Sequence, residues 1–293
     1  MLANRFDLRY NTVKRTKGWI AVKLTVLTDN TARIDVYCLA EPAVCYAIED
    51  GDTRVLFDTG YSNVYLRNAR TLGLELSRVD AAVLSHGHND HTGGLACFPE
   101  TDKRPLLYAH PDVFAPRRAE GAAIGSPLTR EQAAERFDLR LSRAPQRITE
   151  RLTFLGEIPR RMAFEPPETV GEVFLDGAWR PDTVRDDSAL VYRGRDGLCV
   201  ITGCSHAGIC NILAYAQEVC GEERIACVVG GFHLLSDSPR VTSTADWLAR
   251  RNIARLCPSH CTCFAARAAI HRRAPIQEVC VGDVLEIPYT ILR

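Results

Sequence analysis

Three of the chain's eight histidines and one aspartate fall within six consecutive positions, as His86, His88, Asp90 and His91 in the run Ser85-His86-Gly87-His88-Asn89-Asp90-His91-Thr92-Gly93-Gly94. Neutral imidazole and carboxylate are the ligand types that suit Zn²⁺ and similar divalent ions, at bond lengths of roughly 2.0–2.2 Å. The run follows the apolar stretch Ala81-Ala82-Val83-Leu84, so it reads as the end of a buried strand and the turn beyond it. Side chains alternate along a strand with period two, which puts His86 and His88 on one face. Asp90 and His91 come after the turn and are placed to address a second ion beside the first.

Other apolar segments also end in residues that can do chemistry. Arg54-Val55-Leu56-Phe57 runs into Asp58-Thr59-Gly60, Cys199-Val200-Ile201-Thr202 into Gly203-Cys204-Ser205-His206, and Ala254-Arg255-Leu256-Cys257-Pro258-Ser259 into His260. A fourth, Cys227-Val228-Val229-Gly230-Gly231-Phe232, ends in His233, and its glycines permit close backbone approach, so His233 is expected at the rim of a site. H-x-H-x-D-H after a hydrophobic strand, with an Asp-x-Gly turn upstream and ligand-type strand ends downstream, resembles the metallo-β-lactamase superfamily over most of the chain. Thr25-Val26-Leu27-Thr28-Asp29-Asn30-Thr31, Thr202 to Ile209 and Gly230-Gly231-Phe232-His233-Leu234 are similar to the branch containing archaeal dihydropterin-methyl-ribofuranosylaminobenzene-phosphate synthases.

The resemblance implies a site and leaves parts of it open. His86 and His88 would hold a first ion, and Asp90, His91 and His260 a second. The usual third histidine of the first site is missing, since Asp186-Asp187-Ser188 precedes the Leu190 strand. His206 is the candidate replacement and Asp187 the reserve. Cys204 stands where the superfamily has a bridging aspartate and some lactamases a cysteine, as a ligand or as strand-end packing. Asp58 would orient a histidine by hydrogen bonding, a contact that fixes the imidazole tautomer. By analogy with ribonuclease Z-like members, His233 is a proton donor or a ligand. His110 is a weaker candidate for lining the pocket, and His271, beside Arg272 and Arg273, reads as a surface residue.

Two divalent transition-metal ions follow as expected cofactors, zinc first, with iron or manganese as alternatives. Two such ions about 3.5–4 Å apart lower the pKa of a shared water towards ~7 and polarise the bond under attack. Three function classes stay open: a hydrolase of an ester, phosphoester or lactone; a transferase of the pterin-phosphate synthase type; and a non-catalytic metal-binding protein. Histidine where the oxygen-reducing diiron branch carries glutamate favours the hydrolase. The expected partner is a small-molecule substrate, with an anionic one favoured if the arginines described next bind it.

These residues must be carried by a scaffold, and 293 residues with 46% hydrophobic content suffice for one large α/β domain over 1–293. Strands over 21–27, 43–48 and 54–57, a hairpin turning at Gly194 to Gly197, and helices over 63–72, 209–219 and 242–250 predict an αββα sandwich with its site where strand ends converge. Residues 111–167 read as a mid-chain helical lid insertion, with a helix over 129–139 capped by Thr129 and Gln132. Ten arginines between Arg117 and Arg161 would either bind a substrate anion or form surface ion pairs. With 36 basic and 36 acidic residues, no global field recruits nucleic acid or an anionic membrane. No apolar run reaches the roughly 18–20 residues of a membrane span, and Met1 to Asp7 lacks the apolar core of a leader, so a cytoplasmic protein is expected. The twelve cysteines are then expected as reduced thiols, most of them small core residues. Cys257, Cys261 and Cys263 bracket His260 without the second C-x-x-C that a structural zinc site needs.

Overall fold

The computed structural model describes residues 20–289, which leaves Met1 to Asp7 outside the described residues. Its two main sheets face each other. The first has seven strands in the order Val284–Tyr289, Ile20–Thr28, Cys45–Asp50, Thr53–Phe57, Ala81–Val83, Leu106–Ala109 and Asp138–Leu141. The second has six, ordered Arg255–Ser259, Ile225–Gly231, Leu198–Thr202, Ala189–Arg193, Leu152–Phe154 and Gln146–Arg147. Alternate residues of both pack into one inter-sheet core: Val22, Leu24, Val26, Tyr46 and Phe57 meet Phe154, Leu190, Tyr192, Ile201 and Val229.

The opposite face of each sheet is covered by helices, which completes the αββα order. Tyr65 and Ala69 of the helix Val64–Thr71 pack on the first sheet. The helices Ile209–Cys220, Pro239–Ala249 and Phe264–His271 cover the second. Strands covered on both faces lose the polar alternation of half-exposed ones, which is why Leu198–Thr202 is buried at every position.

Each sheet contains a parallel set: Thr53–Phe57, Ala81–Val83, Leu106–Ala109 and Asp138–Leu141 in the first, and Leu198–Thr202, Ile225–Gly231 and Arg255–Ser259 in the second. Asp58, His86, Cys204, His206, His233 and His260 all lie just past the carboxyl ends of these strands, the usual location of sites on parallel sheets. Several of the turns are left-handed at non-glycine residues, with φ of 55° at Asp58, 63° at Ser205, 47° at His233 and 46° at His260. Such backbone costs on the order of 1–3 kcal/mol per residue and persists where surrounding structure enforces it.

Three expectations change. The helix expected over 129–139 keeps its Thr129–Gln132 capping box but ends at Arg136, because Asp138–Leu141 pairs alongside Leu106–Ala109 as a sheet edge. The helix expected from Thr242 starts at Pro239, where proline at the first turn sacrifices no helical hydrogen bond. Residues 111–167 hold only that one α-helix. Their strands Asp138–Leu141, Gln146–Arg147 and Leu152–Phe154 extend both main sheets, while Arg117–Ala119 and Ala122–Ala123 join Glu172–Leu175 and Ala178–Pro181 in a small third sheet. Among the described residues no helix is long and apolar enough to cross a membrane.

Candidate metal centre

His86, His88 and His206 come together with ligand atoms within 4.8 Å of one another, and Asp90, His91, Cys204 and His260 form a second such group. In the first, His86 Nε2 is 3.1 Å from His88 Nδ1. In the second, Asp90 Oδ2 is 3.4 Å from His91 Nε2 and 3.3 Å from His260 Nε2, while Cys204 Sγ is 3.1 Å and 3.3 Å from the same two nitrogens. An ion bonded tetrahedrally to nitrogen, oxygen and sulfur at the usual zinc lengths sets its ligand atoms about 3.3–3.6 Å apart. The measured separations lie near those edges. His206 Nε2 is buried and without a hydrogen-bond partner, so this nitrogen too fits a ligand role.

The histidine rings are held so that one nitrogen is committed and the other is free. His91 Nδ1 donates to Asp58 Oδ2 at 2.7 Å, and His260 Nδ1 to Asn30 Oδ1 at 2.8 Å. His86 Nδ1 is 3.0 Å from Ser85 Oγ, which itself donates to Asp58 Oδ2 at 2.8 Å. Each of the three rings therefore turns Nε2 into the cluster, an arrangement that fixes the ligating tautomer. Asp58 also accepts the Ser85 amide at 2.7 Å, which ties the first metal-ligand loop to the neighbouring strand end.

Protonation follows burial and charge. Burial is the main force pushing His86 and His206 well below the ordinary imidazole range and His88 down to about 3, so all three are neutral, as ligation requires. At His91 burial acts in the same direction, but the Asp90 and Asp58 carboxylates outweigh it and raise the ring's pKa. Cys261 is likewise opposed by burial, yet Cys204 and the His260 and His233 rings draw its thiol well below the ordinary value.

Asp187 occupies a different place from His206. Its Oδ1 is 4.0 Å from His86 Nδ1, the edge of the ring turned away from His88, and its Oδ2 accepts the Ala207 amide at 2.8 Å. His233 reaches the centre, its ring centroid 4.1 Å from that of His206. His110 does not join either group: it binds Glu157, Arg143 and the Asp112 amide. His271 is exposed at the end of its helix.

The three cysteines around His260 have separate fates. Cys257 is in the inter-sheet core, Cys263 caps the helix Phe264–His271 by accepting the Ala266 amide, and Cys261 alone faces the centre. The arginine excess is largely consumed within the protein. Arg117 is buried against Asp182 at 2.9 Å and Asp186 at 2.7 Å, and Asp186 in turn accepts the Gly87 amide between the two first-site histidines. Arg118, Arg143 and Arg161 pair with Glu172, Asp112 and Glu218. Ser85 and Asn30 carried no role in the sequence, although Asn30 lies in the segment Thr25 to Thr31 that marked the resemblance, and Arg117, expected on a substrate anion or in a surface ion pair, is in a buried one.

The metallo-beta-lactamase superfamily profile matches residues 39–260. The 7,8-dihydropterin-6-methyl-4-(beta-D-ribofuranosyl)-aminobenzene-5'-phosphate synthase of Methanocaldococcus jannaschii is 34% identical over 225 residues, 73% of this chain and 76% of that protein. An uncharacterized protein of the same organism is 32% identical over 246 residues, 83% of this chain and 91% of its own. The crystal structure of a metal-dependent hydrolase of the beta-lactamase superfamily superposes with a TM-score of 0.77 at 29% identity, covering 91% of this chain and 99% of that one. Profile, relatives and fold agree, and the chain belongs to the metallo-beta-lactamase superfamily.

Proposed function

We propose that the protein is a dinuclear metal-dependent hydrolase of an ester, phosphoester or lactone. The observation that carries this reading is the asymmetry of the two ligand groups. Asp90, His91, Cys204 and His260 offer four donors, whereas His86, His88 and His206 offer three. A closed tetrahedral set beside a set with one open position is the division expected of a supporting ion and a catalytic ion. Two such ions, zinc being the first choice, would supply an acidified water and Lewis-acid polarisation of the scissile group.

The chain's own residues have distinct tasks in this reading. His86, His88 and His206 stay neutral because they are buried, so their nitrogens present lone pairs. Asp58 and Asn30 hold His91 and His260 in one tautomer. Arg117, through Asp186, fixes the Gly87 amide and hence the path of the His86–His88 turn.

A second reading is favoured by the 34% identity to the M. jannaschii synthase: a transferase in which the same centre activates a phosphorylated substrate and excludes water. Turnover in ¹⁸O-labelled water separates the two. A hydrolase puts one labelled oxygen into its product from a panel of phosphodiesters, thioesters and lactones. Metal-loaded protein that turns over none of the panel, yet joins a pterin activated by a phosphate ester on its methyl carbon to the amine of an aminobenzene ribofuranoside phosphate, releasing that phosphate and the amine proton without incorporating label, would refute the hydrolase.

A further inference from the structure

We infer that Cys204, His233 and Cys261 form a third metal position, one for a soft ion, which shares the Cys204 thiolate with the neighbouring group. The inference goes beyond the two ions proposed above, which are held without His233 or Cys261. The ligand atoms of the three residues lie within 4.8 Å of one another. They come from three different strand ends of the second sheet, so no local sequence constraint forces them together. Thiolates with imidazole suit Zn²⁺, Cd²⁺ and Cu⁺ over hard ions such as Mg²⁺.

The surroundings look built for this position. Gly231 leaves room for the thiol, since a Cβ there would meet Cys261 Sγ at 2.5 Å and the Gly203 carbonyl at 2.6 Å. The His233 amide points at Cys261 Sγ from 3.3 Å, a donor suited to a sulfur ligand, and the Cys204 carbonyl lies 3.5 Å from the same sulfur. His233 is held in the left-handed region at φ 47°, and its buried Nδ1 has no hydrogen-bond partner. Cys199, Cys227 and Cys257 sit elsewhere, packed in the inter-sheet core among Tyr46, Ile201 and Val229.

The test uses the full chain, purified reduced, stripped with a chelator and titrated with Co²⁺ and separately with Zn²⁺. Metal per chain is measured by elemental analysis, and the sulfur-to-cobalt charge-transfer band by absorbance. The wild type is expected to take up three ions per chain, with the band still growing over the third equivalent. Cys261→Ser and His233→Ala should each stop at two, with unchanged far-ultraviolet circular dichroism. Cys261→Ala serves as the replacement if the serine variant fails to fold. His88→Ala should lose a different ion and keep the late growth of the band, so failure of the dinuclear reading shows in that variant and not in the Cys261 series. The inference is overturned if Cys261→Ser matches the wild type in stoichiometry and band, or if His233→Ala keeps every ion and loses only turnover, which would make His233 a proton donor. A Cys204–Cys261 disulfide in the reduced, metal-loaded wild type, read as a mass lower by two hydrogens, overturns it as well.

Discussion

Replacing Asp58 with asparagine isolates the task assigned to a residue that orients ligands without joining either ligand group. Asp58 is fully buried and accepts three hydrogen bonds, from His91 Nδ1 at 2.7 Å, the Ser85 amide at 2.7 Å and Ser85 Oγ at 2.8 Å. Asparagine matches its shape and tolerates the left-handed backbone at φ 55°, so the chain path is not strained by the change. Its amide nitrogen, however, must face either the Ser85 amide, which binds Oδ1, or His91 Nδ1 and Ser85 Oγ, which share Oδ2. At least one hydrogen bond must be lost and the charge on the acceptor disappears. Loss of such an orienting partner typically costs 10–100-fold in metal affinity, about 1.4–2.8 kcal/mol. A buried donor left unsatisfied adds roughly 1–3 kcal/mol of lost folding stability.

Competition against a chelating dye should therefore show Asp58→Asn weaker by about 10–100-fold for the ion at Asp90, His91, Cys204 and His260. The ion at His86, His88 and His206 should change less, because Asp58 reaches His86 only through Ser85. Unaltered affinity at both positions, with thermal stability also unchanged, would refute the claim that Asp58 positions His91.

Other outcomes follow from the same geometry. His206→Ala should remove the ion from the three-histidine group, while Asp187→Asn, which still accepts the Ala207 amide, should retain it by elemental analysis; the reverse result would move the ligand to Asp187. Arg117→Met leaves the buried carboxylates of Asp182 and Asp186 uncompensated and should cost about 3–5 kcal/mol in chemical denaturation. A loss below 1 kcal/mol would instead free Arg117 for a role towards substrate. Thr129→Ala removes a complete capping box at a surface helix and should cost about 0.5–2 kcal/mol with metal content unchanged.

The apolar run Ala81 to Leu84 and the His86 to His91 spacing are local properties, and so is the glycine that ends the helix Ile209–Cys220 with φ 59°. Period and punctuation specify such features within a few residues, so the sequence alone conveyed the αββα order, the strand ends and the residues able to ligate. It could not tell a helix from a sheet edge over Asp138–Leu141, because pairing with Leu106–Ala109 outweighed the helical propensity of that segment. Nor could it allot roles among residues from different strands. Cys257, Cys261 and Cys263 sit within seven positions, yet strand parity buries the first between the sheets and the turn at His260 aims the second at the metal ligands. Arg117 and Asp186 are 69 positions apart, and their pairing beneath Gly87 exists only after three chain segments pack together. Ligand type is a property of the residue and was visible from the start; a shared centre is a property of distances, and distances between strand ends are set by the packing of the two sheets.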